Sequence, residues 1–185
     1  MLNLPNILSL LRIVLIPVLM GLFFLPYESA PLWATIVFVI ASATDWLDGY
    51  LARKWNQTSP FGAFIDPVAD KLLVTVALVL VLYKTPAWYI LIPVIIIIGR
   101  EITVSALREW MAGLGQRNVV KVSSLGKLKT VFQMISIGCL IFFHPLLGLP
   151  VFEIGIALLY FAAALTLGSM FSYLKAAWPM LVSKG

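Results

Sequence analysis

Residues 44–71 read TDWLDGYLARKWNQTSPFGAFIDPVADK, and they hold all four aspartates of the chain, Asp45, Asp48, Asp66 and Asp70. The rest of the chain makes this concentration informative. Of the 185 residues, 62% are hydrophobic and 11% charged, and the mean hydropathy is +1.03. That composition excludes an ordinary soluble domain and reads as an integral membrane protein. An ionised carboxylate near mid-bilayer costs about 3 kcal/mol or more, so it usually faces a bundle interior, a watery cavity or a metal. Any chemistry is therefore sought first in this stretch.

Outward from the aspartates, six apolar stretches can be marked, at 5–26, 31–54, 61–83, 87–112, 127–144 and 148–175. Each is close to the roughly 20 residues a helix needs to span hydrocarbon. The connections PYESAP, KTPA and HPLLGLP are short and rich in Pro or Gly, which predicts antiparallel hairpins and no separate soluble domain. The fold class expected is all-α: an integral membrane bundle of six transmembrane helices, residues 1–185 forming one domain. The first stretch lacks a basic leader and runs straight into another span, so it reads as a retained helix rather than a cleaved signal peptide.

Orientation follows from Lys and Arg, which collect on the cytoplasmic side. With both termini cytoplasmic, Arg53, Lys54, Arg108, Arg117, Lys121, Lys127, Lys129 and Lys184 fall on or near the inner face, and Lys84 alone lies in an outer loop. The aspartates then sit at the cytoplasmic membrane boundary. The +5 net charge suits anionic headgroups there, and no nucleic-acid partner is expected. Trp33, Trp88 and Trp178 near span ends read as an aromatic belt. His144 lies away from the aspartates, and the lone Cys139 reads as packing.

Spacing gives the aspartates a shared direction. At roughly 100° per residue, Asp45, Asp48, Gly49 and Ala52 form one helical stripe with Arg53 at its edge. Gly62, Asp66 and Asp70 recur every four residues on the next helix. Adjacent antiparallel helices can aim both stripes at one spot. Carboxylates gathered there repel unless cations sit among them, and Asp oxygens suit hard divalent ions such as Mg²⁺ or Mn²⁺. Spacing alone leaves three uses open: metal-dependent catalysis, an ion or proton pathway, and structural pairing with Arg53, Lys54 or Lys71. The small Gly49 and Ala52 let a bulky ligand approach the backbone beside the carboxylates.

Asp45, Asp48, Gly49, Ala52, Arg53, Gly62, Asp66 and Asp70 stand in the order and spacing of the CDP-alcohol phosphotransferase signature, and all eight positions agree. The chain therefore resembles that family. NLPNILSLLRIVLIP, GREITVSALREW and GKLKT further resemble its bacterial phosphatidylglycerophosphate synthase branch. The resemblance implies transfer of a phosphatidyl group from CDP-diacylglycerol to the 1-hydroxyl of sn-glycerol 3-phosphate at a pair of divalent ions, Mg²⁺ or Mn²⁺. It implies Asp45, Asp48, Asp66 and Asp70 as metal ligands and Asp70 also as general base. Gly49, Ala52, Arg53 and Gly62 would line the nucleotide pocket of CDP-diacylglycerol. A homodimer in the bacterial inner membrane, among membrane lipids and with its active site towards the cytoplasm, is implied as well.

A phosphorylated acceptor needs cations of its own. Arg100 follows the run IPVIIIIG, Arg108 lies about two turns on along nearly the same face, and Lys127 and Lys129 open the fifth stretch. These four are the candidates for the acceptor phosphate. For Arg100 the competing reading is a buried pair with Glu101 or Glu109. Asn6 and Arg12 are polar where little else on the first stretch is, and join the site as weaker candidates, with capping or snorkelling as the plain reading. The same chemistry on serine, inositol or inositol phosphate, and an ion-coupled transporter, are the alternatives. The transporter fits less well because the outer halves of the stretches are almost wholly aliphatic or aromatic.

Overall fold

A computed structural model describes the chain over 4–55, 59–115 and 124–182, with some side chains inside those helices left outside the description. Six α-helices follow one another: α1 Leu4–Phe23, α2 Ala30–Trp55, α3 Pro60–Lys84, α4 Trp88–Gly113, α5 Ser124–Phe142 and α6 Val151–Val182. Their positions follow the apolar stretches closely. By length and composition, Asn6–Phe23, Trp88–Gly113 and Val151–Trp178 can each cross a membrane, and Ala30–Asp45 and Leu128–Phe142 are shorter apolar helices. The charges of the aspartate stretch lower the hydropathy at the end of α2 and the start of α3.

Local chemistry sets the helix ends. Ser59 caps α3 with extended backbone, its hydroxyl accepting from the Gly62 N–H at 2.9 Å, and Pro60 takes the first-turn position that needs no donor. After α4, Gly115 at φ +74° lets its N–H and that of Leu114 satisfy the carbonyls of Ala112 and Trp110. Between α5 and α6, Leu147 (φ 52°) and Gly148 (φ 80°) form a tight turn closed by reciprocal Leu146–Leu149 backbone bonds.

The chain divides into two compact units, Met1–Thr85 with Ile137–Gly155, and Pro86–Ser136 with Ile156–Gly185. In the first, among the described residues, α1 packs against both aspartate helices, α2 and α3, whereas α2 and α3 touch each other sparingly. Ile16, Leu19, Phe38, Leu73, Leu78 and Val81 form the core, with Ala34, Ala41, Ala69 and Ala77 between them. Small residues let membrane helices approach closely. A methyl group on Gly155 would meet Cys139 Cβ and Leu140 Cγ at 3.0 Å, so the end of α5 lies tight against the start of α6.

In the second unit, Val104, Met111, Tyr173 and Ala177 pack with Leu107, Leu114 and Met170. Outward-facing positions in both units are apolar too: Val14, Val39, Val79, Ile95, Ile102, Val131 and Phe171 are exposed. Apolar residues inside and outside together are what a lipid-embedded chain requires. Trp33, Trp88 and Trp178 are likewise exposed.

Candidate active site

The helix that joins α2 to α3 carries a polar ladder. Asn6, Ser9 and Arg12 lie three residues apart on α1 and are all buried, Ser9 and Arg12 completely. Three residues turn a helix about 300°, so each step winds the ladder back by roughly 60°. Its three rungs accordingly reach different partners. Asn6 donates from Nδ2 to the Ser59 hydroxyl at 2.9 Å, at the cap of α3. Ser9 donates its hydroxyl to Asp66 Oδ1 on α3. Arg12 pairs with Asp45 Oδ1 on α2 at 2.8 Å, its guanidinium fully buried and the carboxylate side chain 38% exposed.

Gly62 belongs to the same junction. A Cβ there would stand 2.5 Å from Asn6 Oδ1 and 3.2 Å from Ser59 Oγ. The glycine is thus required by the first turn of α3 meeting α1, a reason distinct from ligand access. Gly62→Ala should push Asn6 off Ser59 and cost about 1–3 kcal/mol in thermal unfolding. If the clash is the cause, Asn6→Ala combined with Gly62→Ala should recover part of that loss, since interacting sites are not additive.

Asp66 and Asp70 are half-buried and one turn apart on α3, with Pro67 exposed between them. The side chains of Asp48, Gly49, Ala52 and Arg53 on α2 and of Lys127 on α5 lie outside the described residues. The donors that α1 contacts are oxygens, and Asp45 and Asp66 are each held through Oδ1 from the α1 side. Ligating carboxylates are ordinarily oriented by such outer hydrogen bonds, and an all-oxygen set suits Mg²⁺ or Mn²⁺. Among the described residues no three acidic, histidine or cysteine side chains gather as a metal site, so the fit to a divalent ion rests on the oxygen chemistry of the donors alone.

His144 is remote from this end of the first unit. It lines a cavity of about 360 Å³ with Phe23, Tyr27, Glu28 and Lys84. Phe23 lies roughly 20 Å along α1 from Ser9. Lys84 is held there over the rings of Phe143 and Phe23, at 4.6 and 5.5 Å.

The second unit has a polar centre of its own. Arg100 is 7% exposed, pairs with Glu101 at 3.3 Å and donates to the Ser169 hydroxyl at 3.2 Å. Lys129, also buried, pairs with the same Glu101 oxygen. The competing reading of Arg100 as a pair with Glu101 thus describes a real contact, but Glu101 carries two cations rather than one. Arg100 and Arg108 lie against the Tyr173 ring at 5.6 and 5.4 Å, as their shared face on α4 requires. Deeper polar atoms, Gln133 Oε1 and Thr166 Oγ1, are buried with no hydrogen-bond partner among the described residues. Glu101→Gln keeps the shape and removes the charge shared by Arg100 and Lys129. It should lower stability by about 3 kcal/mol, read as a lower melting temperature in detergent.

Sequence reasoning passed over Ser9, Ser59, Ser169 and Tyr173. For Ser9 a signal existed, because it completes the three-residue spacing of Asn6 and Arg12 on one helix. Ser59 stood in a connection, and nothing in the sequence alone assigns Tyr173 to the two arginines.

The family model for CDP-alcohol phosphatidyltransferase matches residues 2–168, nearly the whole chain, a range that includes the aspartate stretch. The chain belongs to the CDP-alcohol phosphatidyltransferase family. Close relatives are named CDP-diacylglycerol–glycerol-3-phosphate 3-phosphatidyltransferase. The protein of that name from Yersinia pestis (strain Pestoides F) is 52% identical over 184 residues, 98% of each chain. Those from Salmonella choleraesuis (strain SC-B67) and Shigella flexneri serotype 5b (strain 8401) are 50% and 49% identical over 175 residues, 95% of this chain and 94% of theirs. For a CDP-alcohol phosphatidyltransferase, the α1 ladder supplies a physical account of how two signature aspartates on different helices are held.

Proposed function

We propose that the chain transfers the phosphatidyl group of CDP-diacylglycerol to sn-glycerol 3-phosphate, giving phosphatidylglycerophosphate and CMP on the way to phosphatidylglycerol and cardiolipin. The observation that carries this reading is the complete eight-position signature in a chain half-identical, end to end, to enzymes named for that reaction. The same names make glycerol 3-phosphate the favoured acceptor over serine, inositol or inositol phosphate.

Asp45, Asp48, Asp66 and Asp70 would hold the metal, with Mg²⁺ or Mn²⁺ in a pair as the ions that fit carboxylate donors. When bound, such ions supply charge neutralisation on the diphosphate and in-line positioning. Asp70 takes the proton from the acceptor's 1-hydroxyl as that oxygen attacks the phosphorus bearing diacylglycerol, and the bond to CMP breaks. Gly49 and Ala52, having almost no side chain, admit the cytidine nucleotide to the face of α2, with Arg53 and Gly62 as further lining. Arg12 opposes part of the negative charge that the aspartates bring together.

The acceptor's phosphate is assigned to Arg100, Arg108, Lys127 and Lys129. Support comes from the gathering of cations: Arg100 and Lys129 both pair with Glu101, and Arg108 lies against the Tyr173 ring that Arg100 also meets. Arginine also matches phosphate oxygens in a two-pronged fashion.

The setting we infer is a bacterial inner membrane crossed six times, with both termini and the aspartates on the cytoplasmic side. The lysine and arginine bias and the position of the six helices support it. One catalytic domain working as a homodimer is what the family resemblance implies. The test is CMP release by the purified chain with CDP-diacylglycerol and Mg²⁺, comparing glycerol 3-phosphate, glycerol, serine, inositol and inositol phosphate. Release with glycerol 3-phosphate alone is expected; release with another acceptor instead would overturn the substrate assignment.

A further inference from the structure

We infer that α1 is the positioning element of the metal-binding aspartates, with Ser9 orienting Asp66 and Arg12 orienting Asp45. The inference rests on the reading of those aspartates as metal ligands. It adds residues outside the eight signature positions and gives them a task.

Two carboxylates that share a cation must be held at matching distances although they belong to different helices. Among the described residues, α2 and α3 make little mutual contact. α1 packs on both, and its ladder touches one aspartate of each: Ser9 at Asp66 Oδ1 and Arg12 at Asp45 Oδ1. A third rung secures the frame, where Asn6 meets Ser59 at the cap from which α3 runs to Asp66.

The chemistry of the rungs suits positioning more than packing. A serine within an apolar helix can satisfy its hydroxyl on its own backbone, as Ser42 does on the Phe38 carbonyl. Ser9 donates across to Asp66 on another helix. A fully buried guanidinium is costly in an apolar unit. Here it lies at one carboxylate oxygen of Asp45 and leaves that side chain partly exposed. Neither residue needs to touch substrate for this, so both act through the aspartates. Ser9 and Arg12, offset by roughly 60° around α1, serve α3 and α2 respectively.

The experiment uses the full chain purified in detergent, with Mn²⁺ binding followed by the electron paramagnetic resonance signal of free Mn²⁺, in the absence of lipid substrate. Ser9→Ala and Arg12→Lys should each weaken Mn²⁺ binding by about 10–100-fold, the usual cost of losing a group that orients a metal ligand. Ser9→Thr, which keeps the hydroxyl, should bind within a few-fold of the unaltered protein. At saturating Mn²⁺, the KM for glycerol 3-phosphate should be unchanged in all three. A purely structural role predicts a lowered melting temperature with Mn²⁺ affinity unaltered, and that result would overturn the inference alone. Should Ser9→Ala not fold, Arg12→Lys, which keeps the buried charge, decides. Absence of Mn²⁺ binding by the unaltered chain would overturn the metal reading and this inference with it.

Discussion

Asp70→Asn should lower turnover by about 10⁴-fold while CDP-diacylglycerol still binds. Asparagine keeps the size of the side chain and one carbonyl oxygen, so the site loses little shape. What it loses is a group able to take a proton, and removal of a positioned general base costs up to about 10⁴-fold. Asp70 lies one turn beyond Asp66 on a helix whose start is capped by Ser59 and tied to α1, so the substitution leaves that anchorage in place. The measurement is a pair: CMP release for turnover and calorimetric titration with CDP-diacylglycerol for binding. Retained turnover would remove Asp70 as the base, and loss of both properties together would make it chiefly a metal ligand.

Asp66→Asn and Asp45→Asn should behave differently, losing turnover and CDP-diacylglycerol binding together. A diphosphate carries its negative charge in the ground state as well as during transfer, so a ligand to the neutralising cation supports both. The loss in turnover should be at least about 10²–10³-fold, the range seen when one electrostatic stabiliser is removed. These variants keep an oxygen for Ser9 and Arg12 to donate to, but remove the negative charge that strengthens both contacts. Chelation of the unaltered protein should reproduce the phenotype, and added Mg²⁺ or Mn²⁺ should restore activity. Full binding by Asp66→Asn with turnover alone reduced would place that residue outside the cation's first ring of donors.

Six helices could be placed from apolar runs and Pro/Gly breaks because hydrocarbon demands about 20 apolar residues per crossing, a strong and local signal. Their ends were less exact. The last stretch ends at 175 in the sequence reading, and α6 continues to Val182, since nothing in Lys175–Ala176–Ala177–Trp178 stops a helix. What the sequence hid was partnership. Spacing put Asp45 on one stripe and Asp66 on another, but no periodicity says that a third helix joins them. Serine is an ordinary helix residue whose hydroxyl usually turns back on its own carbonyls, so the spacing of Ser9 with Asn6 and Arg12 marks a polar row but does not name Asp66 as its partner. Gly62 was visible as part of the signature, yet the close approach of Asn6 that forbids a side chain there appears only once α1 and α3 are packed. In the second unit, Arg100 and Arg108 were legible as one face of α4, while Tyr173 and Ser169 come from α6, far away in sequence.

The central claim is a group transfer from one lipid to a soluble phosphate ester, and the direct measurement is product analysis in proteoliposomes. Purified chain, CDP-diacylglycerol, Mg²⁺ and radiolabelled sn-glycerol 3-phosphate should yield label in an extractable lipid that co-migrates with phosphatidylglycerophosphate. CMP should appear in equal amount, and neither product should form after chelation. Correctly folded protein that leaves all label water-soluble, with no CMP released across a range of divalent ions, would contradict the account.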